Sequence, residues 1–269
     1  MKIVERTYVC RNGVVEKTRF LVGDRTRAFS GKRTGKKCSL KKQTDNDRLA
    51  VRTLARTLNC NFRHRDLLVT LTYSDEGIGT LKGETMDEKR AAAEHQGTLW
   101  LRRLRRKLGG AALRSVLVTS DMDGETGEAV RLHHHVVLPG TVSWDAMQVL
   151  WVLGDVDIRQ IRQQDDLTPV AVYMLRQVRR VPEKKKYRCS MGMEKPVIEE
   201  RFVLGQAEIR VQPGAKVLER QYAEENISQY VRYKRREGKR HDQLERVAGD
   251  VPVLPQGRRT DDPLRRDHR

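Results

Sequence analysis

The sequence predicts an α+β domain: a central antiparallel sheet of about five strands flanked by helices, followed by a charged C-terminal helix and a tail. Three observations predict it. Short β-branched, apolar runs alternate with longer amphipathic stretches in the order strand, helix, strand, strand, helix, strand, helix. Two of those runs, 113–119 and 130–138, are separated only by a Gly/Asp turn, which makes them a hairpin and the sheet antiparallel. At 269 residues the chain also has ample material for a core, enough for one large domain or two small ones.

Residues 1–24 alternate weakly (Ile3, Tyr8, Val14, Val15, Phe20, Val22) and suggest a peripheral hairpin turning at Asn12-Gly13. The Gly/Lys-rich stretch 30–43 reads as a flexible basic arm, because the Gly-x4-Gly-Lys-Ser/Thr pattern of a phosphate-binding loop is absent. A helix is expected from Asn46 to Leu58, with Ala50, Leu54 and Leu58 as its core stripe. Asp66 to Tyr73 is a strand, 74–84 a Gly-rich loop, and Thr85 to Leu108 a long basic helix stopped by Gly109-Gly110. After the hairpin come a helix capped by Ser143 and a strand from Val156 to Ile161. A helix capped by Thr168, with Pro169 in its first turn, then runs to about Arg180. Residues 197–211 suggest one more strand pair. A charged helix is expected from Leu218 to Val247, and beyond 248 the composition is that of a disordered basic tail.

The 54 Lys and Arg residues are spread along the chain and leave a formal charge of +18. A field of that sign favours a polyanionic partner, of which nucleic acid is the commonest. No apolar run is long enough for a membrane span and the N-terminus has no apolar leader, so a soluble, unexported protein with no membrane partner is expected. Cys10, Cys38, Cys60 and Cys189 lie far apart without Cys-x-x-Cys spacing, as in a cytoplasmic protein with reduced thiols.

Arg131-Leu132-His133-His134-His135-Val136-Val137-Leu138 concentrates three of the seven histidines. On a strand, His133 and His135 share one face and His134 takes the other. Two imidazoles two residues apart can hold a divalent metal if a third ligand arrives from a neighbouring element. The alternative is a pair of merely solvated or hydrogen-bonded histidines, with His134 buried on the opposite face. Tyr173 with Arg176 one turn later forms a second constellation, because i and i+3 lie on one helical face.

Taken in order, the Leu68-Val69-Thr70-Leu71-Thr72-Tyr73 strand, the His133/His135 strand and the Tyr173 helix resemble the three-motif pattern of the HUH endonucleases. They resemble in particular the rolling-circle replication initiators of small single-stranded DNA phages, prophages and plasmids. Ser190-Met191-Gly192-Met193-Glu194-Lys195-Pro196 is similar to a segment found after the tyrosine helix in many phage members, so the resemblance covers residues 46–204. It implies a domain over 45–212 between the N-terminal hairpin and arm (1–44) and the charged helix (213–247) and tail (248–269).

The resemblance implies a nickase in which Tyr173 is the nucleophile, Arg176 its electrostatic partner, and His133 and His135 hold Mn²⁺ or Mg²⁺. The third ligand falls among Ser120, Asp121 and Asp123. Asp121 is the expected one, provided a bulge or turn begins there. Arg176 stands where the family commonly has Lys, which points to charge stabilisation rather than proton transfer. Tyr187, after Lys184-Lys185-Lys186, is a second candidate nucleophile, and Tyr222, Tyr230 and Tyr233 either stack bases or pack. The implied partners are single-stranded DNA or an origin hairpin and a host helicase and polymerase, in the cytoplasm of a bacterial host cell. Other readings are a plasmid mobilisation relaxase, an origin-binding protein without catalysis, and an RNA-binding protein.

Overall fold

A computed structural model describes residues 2–22, 40–110, 112–179, 185–204, 208–223 and 228–236. Of the arm expected over 30–43, residues 30–39 lie outside the described residues and 40–43 are helical, forming the start of α1; the remainder of the expected C-terminal helix (237–247) and the tail (248–269) also lie outside the described residues. The elements are β1 (Lys2–Val9), β2 (Val14–Val22), α1 (Leu40–Asn61), β3 (Leu67–Thr72), α2 (Asp75–Gly79), α3 (Met86–Lys107), β4 (Val116–Met122), β5 (Ala129–Leu138), α4 (Trp144–Leu150), β6 (Val156–Gln160), α5 (Thr168–Arg176), β7 (Arg188–Cys189), β8 (Val197–Val203), β9 (Lys216–Ala223) and β10 (Ser228–Lys234).

The α+β class and the antiparallel sheet flanked by helices are as expected, but there are two five-stranded sheets rather than one. The histidine sheet has the order β6-β3-β5-β4-β7, and its β3–β5 and β4–β5 pairs are antiparallel. Period-two alternation sends Leu67, Val69 and Leu71 to one face, where they meet Trp100 and Leu104 of α3 and Met147 of α4. Val116, Val118 and Val137 point to the other face, against Leu54, Ala55 and Leu58 of α1 and Ala171, Met174 and Leu175 of α5. The helices are anchored as their sequences suggest. Thr85 and Glu88 form a capping box on α3, and Ser143 caps α4. The Gly-rich loop after β3 contains the short helix α2, capped by Ser74.

The second sheet, with the order β8-β1-β2-β10-β9, draws its strands from the two ends of the described chain. The hairpin at Asn12-Gly13 forms as expected, but it is the centre of a sheet and not a lone appendage. The expected helix over 218–247 is overturned where it can be seen, because 216–223 and 228–234 are paired antiparallel strands. The expected strand pair over 197–211 yields one strand, β8. Ile209 and Val211 instead cover Val15, Val231 and Tyr233 on one face of this sheet.

On its other face the second sheet meets α1 through charge. Arg56 bonds buried Glu16 at 2.8 Å and stacks on Tyr8, while Arg52 stacks on Tyr230 at 3.6 Å. Tyr230 and Tyr233 are therefore packing residues, and Tyr222 is the exposed one of the three. The cysteines that can be placed, Cys10, Cys60 and Cys189, are free thiols. Among the described residues no helix is long and apolar enough to cross a membrane.

Candidate metal centre and tyrosine helix

β5 lies in the middle of its sheet, and from His134 to Leu138 its side chains are buried in the packed layers on either face. His134 is fully buried toward α3 and α4. Its Nε2 is 2.8 Å from Tyr73 Oη, its Nδ1 is 3.0 Å from Thr119 Oγ1, and Trp151 packs edge-on against it. A Cβ on Gly97 would stand 3.2 Å from Leu117 and 3.3 Å from His134, so a side chain here would press on both. Burial, and then the neighbouring imidazoles, pushes the His134 pKa down to about 3. It is a neutral structural residue, as the alternation required.

His133 and His135 face the α1–α5 side, beside Thr72 and Thr70 on β3 and Ser120 and Val118 on β4. The His133 Nδ1 is 2.9 Å from the Arg131 carbonyl, which can only accept, so Nδ1 carries the proton and Nε2 a lone pair. Thr70 Oγ1, 3.3 Å from Nδ1 of His135, holds the second ring with its Nε2 turned toward that of His133. The two Nε2 atoms are 3.2 Å apart. Burial, with the charge of His133 adding to it, lowers the His135 pKa to about 4, so this ring is neutral at physiological pH.

The third group is Gln177. Its Oε1 is 3.2 Å from Nε2 of both histidines, and its amide nitrogen donates to the Tyr173 carbonyl at 3.1 Å, which assigns the oxygen to the histidine side. Three acceptor atoms thus converge with their outer sides already hydrogen-bonded. Ser120 Oγ, directly across the strand pair from His133, is buried and has no hydrogen-bond partner among the described residues.

Asp121 is not the third group. A register irregularity does begin at this residue, as expected, but its carboxylate is buried against Arg90 at 3.3 Å and Arg179 at 3.2 Å and accepts from the Arg179 amide at 2.9 Å. The bulge serves Gln177 another way, because the Asp121 and Met122 amides both donate to the Gln177 carbonyl, at 3.2 and 3.1 Å. Asp123 caps its own turn, accepting from the Glu125 and Thr126 amides, which hold its carboxyl below the ordinary range.

At the start of α5 the expected cap, Thr168, is instead the first helical residue. Asp166 Oδ1 accepts from Thr168 N at 2.8 Å and Thr168 Oγ1 at 2.6 Å, and from Asn59 at 2.9 Å. Its other oxygen pairs with Arg232 of β10 at 2.9 Å. Ala171, Met174 and Leu175 fix the buried side, so Tyr173 points to the histidines, its ring centroid 5.0 Å from that of His135 and 39% of its surface open. Arg176 passes over Gly124, where a Cβ would come within 2.8 Å of its side chain, and lies 3.6 Å from Glu125. Arg176 is thus on the rim of the site. Tyr187 packs against the α1–α5 core, and burial pushes its phenol up to about 12.

Among the described residues no three His, Cys, Asp or Glu side chains come together as a metal site. The set that fits a divalent cation is therefore two imidazoles and an amide oxygen, with the Ser120 hydroxyl adjacent. This mixed set suits Mn²⁺ better than Mg²⁺, which prefers an all-oxygen shell. Gln177 stands four residues after Tyr173, on the same helical face, and that spacing is the only signal the sequence carries for it. Comparison with protein-family models, curated proteins and solved structures finds no match to this chain.

Proposed function

We propose that the protein is a metal-dependent, single-tyrosine nickase that cuts and rejoins single-stranded DNA at a replication origin and so starts rolling-circle replication. The observation that carries the reading is the convergence of His133, His135 and Gln177 beside a half-exposed Tyr173. A divalent cation would be held by those three groups, and when bound it would supply Lewis-acid polarisation of the scissile phosphate. Tyr173 Oη forms a bond to phosphorus as the bond to the 3′-oxygen breaks. The phenol proton is balanced by the one gained on the 3′-hydroxyl, and the phosphodiester energy is kept in a 5′-phosphotyrosyl link. The phenol is a weak nucleophile, with an ordinary pKa of about 10, so its orientation by α5 matters more than its basicity. Arg176 exchanges Glu125 for a phosphate oxygen and stabilises charge without giving up a proton.

The freed 3′-hydroxyl would prime a host polymerase, with unwinding by a host helicase because the chain has no phosphate-binding loop. The surplus of 18 positive charges supports a nucleic-acid substrate. The test is incubation with single-stranded origin oligonucleotides and Mn²⁺, reading the covalent protein–DNA adduct on a denaturing gel. Binding without an adduct under any divalent metal would decide for an origin-binding protein instead.

A further inference from the structure

β8 is bonded to β1 along one side only, and among the described residues no strand meets its other edge. Exposed edges are normally blunted by proline, bulges or a covering loop, because their free N–H and C=O groups template further pairing. β8 is instead regular from Val197 to Val203, and its apolar side chains are uncovered: Val197 is 61%, Ile198 56% and Phe202 72% exposed. The register with β1 puts Ile198, Glu200 and Phe202 on one face and Val197, Glu199, Arg201 and Val203 on the other.

The segment Val-Ile-Glu-Glu-Arg-Phe-Val is complementary to itself read backwards. A two-fold axis normal to a sheet can only oppose residues of the same face, so the axis must pass through a residue. Centred on Glu200, it sets Val197 against Val203, Ile198 against Phe202 and Glu199 against Arg201 of the second copy. Moving the axis to Glu199 opposes Ile198 to Glu200 and Val197 to Arg201. Moving it to Arg201 opposes Arg201 to itself and Glu200 to Phe202. One register is therefore favoured on both apolar and charge grounds. The like pair it creates at Glu200 is neutralised within each chain by Arg6, 2.5 Å away.

We propose that the free edge of β8 is the interface for a second copy of this chain, added antiparallel so that two five-stranded sheets run on as one. The inference does not rest on the nuclease reading; if both hold, the particle carries two copies of Tyr173. Sedimentation of the full chain should give an apparent mass rising with concentration to twice that of one chain. Phe202→Lys, at an exposed position, should return it to the single-chain mass with an unchanged circular dichroism spectrum. The register is read by cross-linking in a Cys38→Ser/Cys189→Ser background. Glu200→Cys, opposed to itself at about 4.5–5.5 Å between Cα atoms, should give a disulfide-linked dimer with Cu(II)-phenanthroline, and Glu199→Cys should not. A single-chain mass throughout, a dimer untouched by Phe202→Lys, or equal cross-linking at 199 and 200 would each overturn the proposal.

Discussion

The two sheets reach burial by opposite means. The histidine sheet is closed on both faces by helices, and its central strands β3, β4 and β5 bury Leu and Val on both sides, with Thr70, Thr119, Ser120, Asp121 and the histidines set among them. The second sheet buries Glu5 between Arg19 and Arg201, and Glu16 against Arg56, at the depth where the first sheet keeps leucine. An apolar interior tolerates neighbours of many shapes, whereas a buried ion pair demands its partner in one geometry. The two sheets divide their roles: one holds the histidines of the proposed site, and the other is tied by an ion pair to the start of the tyrosine helix. The Arg232–Asp166 pair ties β10 to the start of α5.

The largest effect should come from the histidine sheet's own site. Tyr173→Phe should reduce the covalent DNA adduct to background while leaving DNA binding intact, as read by gel and by fluorescence anisotropy; an undiminished adduct would remove Tyr173 as nucleophile. Next is the joint between the sheets. Asp166→Ala leaves Arg232 in a buried site without its 2.9 Å partner and the first turn of α5 without its acceptor. Arg232 keeps Glu219 at 2.7 Å, so the cost should be about 1–3 kcal/mol in chemical denaturation. A cost within the range of a surface substitution would mean that the second sheet does not hold α5.

Acid should then tell the two interiors apart. His134 and His135 have folded pKa values of about 3 and 4 against an ordinary 6.5, so between those limits the unfolded chain binds more protons. Their contribution is complete above pH 6.5 and falls with acidification by about 1.4 kcal/mol per pH unit for each ring. Glu16 leans the other way, because burial raises its pKa in spite of Arg56, so acid relieves its penalty. Denaturant titrations between pH 5 and 6.5 should show stability falling with acidification, the two histidines outweighing the opposite slope of Glu16; a flat profile would contradict their burial as neutral rings. The smallest effect is expected at the third acceptor. Gln177→Ala should raise the Mn²⁺ concentration needed for half-maximal adduct by roughly 10–100-fold, and Gln177→Glu should lower it. An unchanged Mn²⁺ requirement in Gln177→Ala would restrict the site to the histidine pair.

The histidine sheet was legible because strand alternation alone separates His133 and His135 from His134, and because Tyr173 lies on a helix whose apolar side is plain. What escaped was long-range. Asp121 occupies a plausible ligand position, but Arg90 of α3 and Arg179 beyond α5 claim its carboxylate, and ion pairs across such separations leave no local trace. Gln177 acquires its role only through the bulge at Asp121 and the end of α5. In the second sheet, β9 and β10 carry Glu, Arg and Lys at a density that reads as a solvated helix. Their charges are instead paired across strands, as in Arg232–Glu219.

The interleaving of the second sheet has a consequence for how the protein is made. β1 and β2 precede every strand of the histidine sheet in the chain, while their neighbours β8 and β10 follow all of them. During synthesis the histidine sheet can close once residue 189 has emerged, but both outer edges of the hairpin stay unpaired until residues 197–234 follow. Non-local pairing of this kind is slow to form. Nascent chains halted between those two points should therefore hold a protease-resistant histidine sheet and a hairpin still open to cleavage.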